Sequence, residues 1–181
     1  MPKKIVIPKA ELWDRKNRRF IYTEEHVLVI EHSLVSISKW EAKWHKPFFS
    51  KEEKTPEQIL DYIKCMTLTQ NVNPDVYNYL TQDNIKEINS YLEDPMTATW
   101  FNNKNDKGSG SKVVTSELIY YWMVALQIPF ECQKWHINRL MTLIRVCNEE
   151  NRPKKKMSMR DTYSRNAALN AARRAKMGSL G

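Results

Sequence analysis

The stretch TSELIYYWMVALQIPFECQKWHINRLMTLIRVCNEE, Thr115 to Glu150, is the most apolar part of the chain and decides the fold. It reads as two helices hinged at Gln127-Ile128-Pro129. From Leu118 to Leu126 every residue is apolar or a tyrosine, and a helix that is apolar all round is a buried one. The run is too short to span a membrane, which takes roughly 20 residues. Pro129 lacks an N–H and clashes with the preceding turn, so the first helix should stop before it. In the second helix Ile137, Leu140, Met141, Ile144 and Cys147 share one face, with Arg139, Thr142, Arg145 and Asn148 largely on the other. A buried helix followed by an amphipathic one is the centre of a mainly α fold, a compact helical bundle.

Working outward, residues 1–32 form an N-terminal β segment. KIVI (Lys4–Ile7), RFIYT (Arg19–Thr23) and HVLVIEH (His26–His32) are rich in β-branched and aromatic residues. The polar run from Asp14 to Arg18 reads as a turn, so a small antiparallel sheet or pair of hairpins is expected. At Ser33 the period changes and the helical core, 33–151, begins. Ile37, Trp40 and Trp44 recur at helical spacing up to Pro47; they are either core aromatics or an exposed aromatic stripe. Thr55-Pro56-Glu57-Gln58 is a capping box with proline at the first helical position. Asn73-Pro74 starts a short helix. Thr81 caps another, with Ile85, Ile88 and Leu92 on one face and its end at Asp94-Pro95. Residues 101–112, ending in NNKNDKGSGSK, read as a flexible loop.

The formal net charge is +8. Beyond residue 151 stand nine Lys or Arg (Arg152, Lys154, Lys155, Lys156, Arg160, Arg165, Arg173, Arg174, Lys176) against Asp161 alone, while the remainder of the chain balances. Residues 152–181 are therefore a basic C-terminal arm, expected to be mobile or to become helical on a partner. Ser158 and Asp161 resemble a capping signal, and the segment Leu169-Asn170-Ala171-Ala172-Arg173-Arg174 mixes apolar, small and cationic groups as partner-binding arms do. The arm also suits nucleic acid, through counterion release from phosphates, but Tyr163 is its one aromatic for base stacking.

No catalytic constellation is present. GSGSK lacks the P-loop spacing, and Glu24, Glu25 and Glu31 carry no distinguishing acid–base pattern. Cys132 and His136, four apart on an expected helix, are half a metal site with no second pair. Cys65, Cys132 and Cys147 lie in apolar patterns and read as buried thiols of a reducing compartment. MPKKIVIPKAELWD has no signal-peptide features. No catalytic, cofactor or metal residue is assigned, and the chain is expected to be non-enzymatic.

Five stretches carry a resemblance: HSLVSISKWEAKWHKPFF (His32–Phe49), KTPEQILDYIKCMT (Lys54–Thr67), MTATWF (Met96–Phe101), IYYWMVALQIPFECQKWHINRLMTLIRVCNEEN (Ile119–Asn151), and the C-terminal RNAALNAARRAKMGSLG. Together they resemble the tail assembly chaperones of long-tailed (siphovirus-type) bacteriophages. The resemblance implies a protein made in the cytoplasm of the infected bacterial host that binds the helical tape measure protein, keeps it soluble and helps recruit tail tube protein. It implies no catalytic residues and no cofactor. Trp40, Trp44, Phe48 and Phe49 are then candidates to line a partner-binding surface, with Arg160, Arg165, Leu169, Asn170, Arg173 and Arg174 as candidates on the arm. A second copy of the chain is a further candidate partner. The competing readings are a nucleic-acid-binding accessory protein and a structural virion tail component.

Overall fold

The computed structural model describes residues 2–14, 18–101, 113–152 and 158–178. Residues 15–17 of the turn expected at Asp14–Arg18, residues 102–112 of the loop expected at 101–112, and the PKKK run at 153–156 lie outside the described residues. Two units are distinguished, 1–148 and 149–181.

In the first unit four strands nest. β1 (Lys3–Ile7) pairs antiparallel with β4 (His26–Ile30), and between them in sequence β2 (Ala10–Asp14) pairs antiparallel with β3 (Arg19–Thr23). The two-residue alternation of β1 and β4 turns Ile5, Ile7, Leu28 and Ile30 into the core. Neither edge of the β1–β4 pair is bare. The Asn84 amide donates to the Val6 carbonyl at 2.9 Å, and on the far side Leu68 N–H donates to Val29 O at 2.7 Å and Glu31 N–H to Met66 O at 2.9 Å. Edge coverage of this kind lets a two-stranded sheet persist and blocks further pairing.

The first three helices start where their cap chemistry says. α1 (Leu34–Trp44) opens on a reciprocal Ser33/Ser36 box and ends at His45 in the left-handed region (φ 52°). α2 (Pro56–Met66) opens on the Thr55/Gln58 box, and α3 (Gln82–Glu93) on a Thr81/Asn84 box. Between α2 and α3, Pro74–Tyr79 is a 3-10 helix. α4 (Ser116–Ala125) and α5 (Ile137–Glu150) are the central pair, separated by a 3-10 turn at Phe130–Lys134. The expectation that Cys132 and His136 share one α-helix is therefore corrected: Cys132 lies in that turn, and Trp135 and His136 are extended before α5 begins. Leu34, Ile37, Trp40, Met66, Ile119, Met123, Ile137 and Leu140 close the core over the sheet.

One carboxylate ties distant elements together. Glu41, buried on α1, accepts from Phe48 N–H at 2.7 Å through Oε1 and from Ser116 N–H at 2.8 Å through Oε2. The second bond supplies α4 with an anion at its N-terminal end, where the helix dipole favours one. Glu41→Ala strands both donors and is expected to lower stability by about 3 kcal/mol, read as a lower urea midpoint with an unchanged slope. A loss below about 1 kcal/mol would mean that water takes over both bonds.

In the second unit, α6 (Met159–Met177) forms as its capping signal predicts. Ser158 Oγ accepts from Asp161 N–H at 3.1 Å, and Gly178 ends the helix at φ 63°, the left-handed conformation glycine adopts without strain. Every described side chain of α6 is exposed.

Candidate partner-binding surface

α4 overturns one expectation. The helix is apolar all round, yet it is not buried all round. Ile119 and Met123 face the core, while Tyr121 is 65% and Val124 60% exposed. Tyr121, Val124 and Ala125 stand at i, i+3 and i+4, so they form one outward side. Phe130 extends that side from the following turn. Its ring stacks on Tyr120 with centroids 6.4 Å apart and planes 29° apart, and the Tyr120 hydroxyl donates to Gln133 Oε1 at 2.9 Å, fixing the pair. The result is a continuous apolar patch of Phe130, Tyr120, Val124 and Tyr121. Beside it, a groove of about 400 Å³ between α4 and α5 is lined by Trp122, Met141 and Ile144, with the Arg145 guanidinium 4.1 Å over the Phe101 ring.

The aromatic stripe of α1 is placed differently. Trp40 is 1% exposed and its indole N–H donates to the Gln58 carbonyl at 3.0 Å. Trp44 is half-buried and donates to Asp61 Oδ2 at 3.0 Å, while Lys43 holds the same carboxylate. Burial raises the Asp61 pKa, but Lys43 and Trp44 outweigh it and hold the carboxyl below its ordinary range. Phe48 packs between Trp40 (5.3 Å) and Tyr62 (4.3 Å), and the Lys54 ammonium sits 4.5 Å over its ring. Phe49, 40% exposed, is the member of the four most open to solvent. Trp40 thus offers no ring to a partner, and Phe48 is roofed by a lysine.

The arm candidates all lie on α6. At 100° per residue Arg165, Leu169 and Arg173 share one side, Arg160 is opposite, and Asn170 and Arg174 lie on a flank near Tyr163. Cations surround this helix and do not form a single stripe.

A polar cluster lies inside the first unit. His32 and His136, both buried, meet edge to face at 5.0 Å. His136 Nδ1 accepts from Asn138 N–H at 3.3 Å, so Nε2 carries the proton and donates to the Tyr91 carbonyl at 3.0 Å. His32 Nδ1 meets the Tyr62 hydroxyl at 2.5 Å, and the Tyr91 hydroxyl donates to Glu31 Oε1 at 2.6 Å. Burial pushes the Tyr62 and Tyr91 phenols up and both imidazoles down. It also raises the Cys65 and Cys132 thiols. These groups are tuned to neutrality, which suits packing and disfavours an activated nucleophile or base at neutral pH. Among the described residues no three His, Cys, Asp or Glu side chains are grouped to hold a metal ion, and no helix is long and apolar enough to cross a membrane.

The chain is 27% identical over 158 residues to an uncharacterised protein of Bacillus anthracis, a match covering 85% of this chain and 56% of that relative. The chain thus spans a little over half the length of the curated relative it matches. No family model matches the chain, and no solved structure matches it.

Proposed function

We propose that this chain is a non-enzymatic tail assembly chaperone of a long-tailed bacteriophage. It acts in the cytoplasm of the infected bacterium, holds an amphipathic helix of the tape measure protein, and assists assembly of the tail tube. The observation that supports this reading best is the outward side of α4. Tyr121 and Val124 are exposed on a helix whose every residue from Leu118 to Leu126 is apolar or tyrosine. Such a helix normally ends up covered on all sides, and a partner's apolar stripe laid against it is the helix-in-groove mode of recognition. The basic α6 adds attraction for an acidic partner.

Co-expression with a tape measure protein of a long-tailed phage, followed by size exclusion, tests the reading. The wild-type chain is expected to keep that protein soluble and co-elute with it. Tyr121→Glu/Val124→Glu, both at exposed positions, should change stability by no more than about 0.5 kcal/mol each and reduce the soluble complex at least tenfold. Full solubilisation by this double variant would remove α4 from the reading. An insoluble partner beside wild-type chain would remove the chaperone itself.

The exposed cations of α6 favour a second reading, an accessory protein that binds nucleic acid. In that case affinity for generic duplex DNA falls steeply with salt and vanishes on truncation after Asn151. Salt-insensitive or absent binding decides against it.

A further inference from the structure

A second concavity opens on the first unit. It has a volume of about 470 Å³ and lies between α1, the end of α2 and the start of α5, within the roughly 300–1,000 Å³ typical of ligand sites. Met66, Leu68 and Trp135 give it apolar walls, and Lys39, Lys134 and Arg139, all exposed, stand around it. Among the described residues none of these three cations is in an ion pair. Arg139 instead lies flat on the Trp135 ring at 4.2 Å. The carboxylate in the lining, Glu31, is buried and already accepts the Tyr91 hydroxyl.

This arrangement suits an anion. Three like charges share one apolar opening. Arg139 is the third residue of α5, whose first turn contains no acid, and the N-terminal end of a helix disfavours a cation. An anion at the mouth would complement the three cations and the N-terminal end of α5.

We propose that the cavity receives a large apolar side chain from an acidic segment of the protein partner, whose flanking carboxylates lie against Lys39, Lys134 and Arg139. The proposal rests on the chaperone reading and adds to it what the partner must present. Two features favour a protein segment over a free amphiphile. The cations come from three separate elements (α1, the 3-10 turn and α5), so they suit several carboxylates and not one head group. Leu68, 54% exposed, carries the apolar wall out to the surface, where the rest of a polypeptide would lie. The turn at Phe130–Lys134 contributes Phe130 to the α4 patch and Lys134 to this cavity.

The test uses the full chain and two probes. The first is 8-anilinonaphthalene-1-sulfonate, an apolar anion, titrated in the Tyr121→Glu/Val124→Glu background so that the α4 patch contributes nothing. Lys39→Glu/Lys134→Glu/Arg139→Glu is expected to weaken dye binding more than tenfold, and Lys4→Glu/Lys51→Glu, exposed cations elsewhere, to weaken it less than twofold. Circular dichroism and thermal midpoint show that both variants fold. The second probe is the co-expressed tape measure protein, with α4 intact, whose soluble yield should fall at least tenfold with the triple variant. Unchanged dye binding by the triple variant overturns the assignment of the cavity. Lost dye binding with full solubilisation overturns the partner as its occupant. A wild-type chain that leaves the tape measure protein insoluble overturns the chaperone reading, a failure visible before any cavity variant is made.

Discussion

Trp40→Ala is expected to lower the stability of the first unit by about 3–5 kcal/mol. The indole is almost wholly buried, touches the Phe48 and Trp44 rings, and donates to the Gln58 carbonyl. Truncation leaves a cavity and removes one hydrogen bond, while the Gln58 carbonyl, inside α2, keeps its helical partner. Domains of this size hold about 5–15 kcal/mol in all, so a substantial part of the variant should be unfolded in mild urea. Equilibrium denaturation checks this. A loss below about 1 kcal/mol would mean that the ring is not packed as described. Loss of partner binding in such a variant would report misfolding, so the outward side of α4, and not α1, is the place to probe recognition.

Acid should destabilise the chain well before its carboxylates protonate. In the folded state burial pushes His32 down to about 3, helped by the neighbouring His136. Burial likewise lowers His136, although the Tyr91 carbonyl opposes the shift. Unfolded, both imidazoles titrate near 6.5. Below that pH the unfolded chain takes up protons that the folded chain refuses, so stability is complete above about 6.5 and is lost as pH falls. Each imidazole kept neutral removes about 1.4 kcal/mol per pH unit. His32 alone therefore costs about 3 kcal/mol by pH 4.5, and its contribution levels off only near pH 3. Urea midpoints across this range should fall steeply, and His32→Gln should flatten the slope. Midpoints that do not move between about pH 6.5 and 4.5 would show that the pair charges freely in the folded chain.

Local chemistry is legible in this sequence, and what covers a surface is not. Thr55, Thr81 and Ser158 mark helix starts because the cap and the residue three places on lie in one short string. Pro129 marks the break after α4, although the helix itself closes earlier, where Gln127 turns left-handed (φ 55°) and Ile128 N–H donates to Met123 O at 2.8 Å. The β pairs follow from alternation, although the nesting of β2–β3 inside β1–β4 has no local sign. The 3-10 turn at Phe130–Lys134 is invisible to a helical period that runs on through Ile137. Apolar content marks α4 as a helix that needs covering, but does not say that Tyr121 and Val124 stay exposed among the described residues. Trp40 and Tyr121 look alike as letters; one lies against Gln58 and Phe48, the other against solvent. The His32–His136 contact joins residues more than 100 positions apart, and no spacing rule reaches that far.

The bond from Glu41 to Ser116 also dictates an order of events during synthesis. Its partners are 75 residues apart, and bringing them together costs about 4 kcal/mol of chain entropy from the logarithmic term alone. His32 and Ile137, joined at 2.7 Å, are farther apart still. As the polypeptide leaves the ribosome, strands and α1–α3 emerge with Glu41 and the His32 carbonyl waiting for groups not yet made. The core therefore closes in one late step, after α5 has cleared the exit tunnel, and a chain of such non-local pairings should fold slowly for its size.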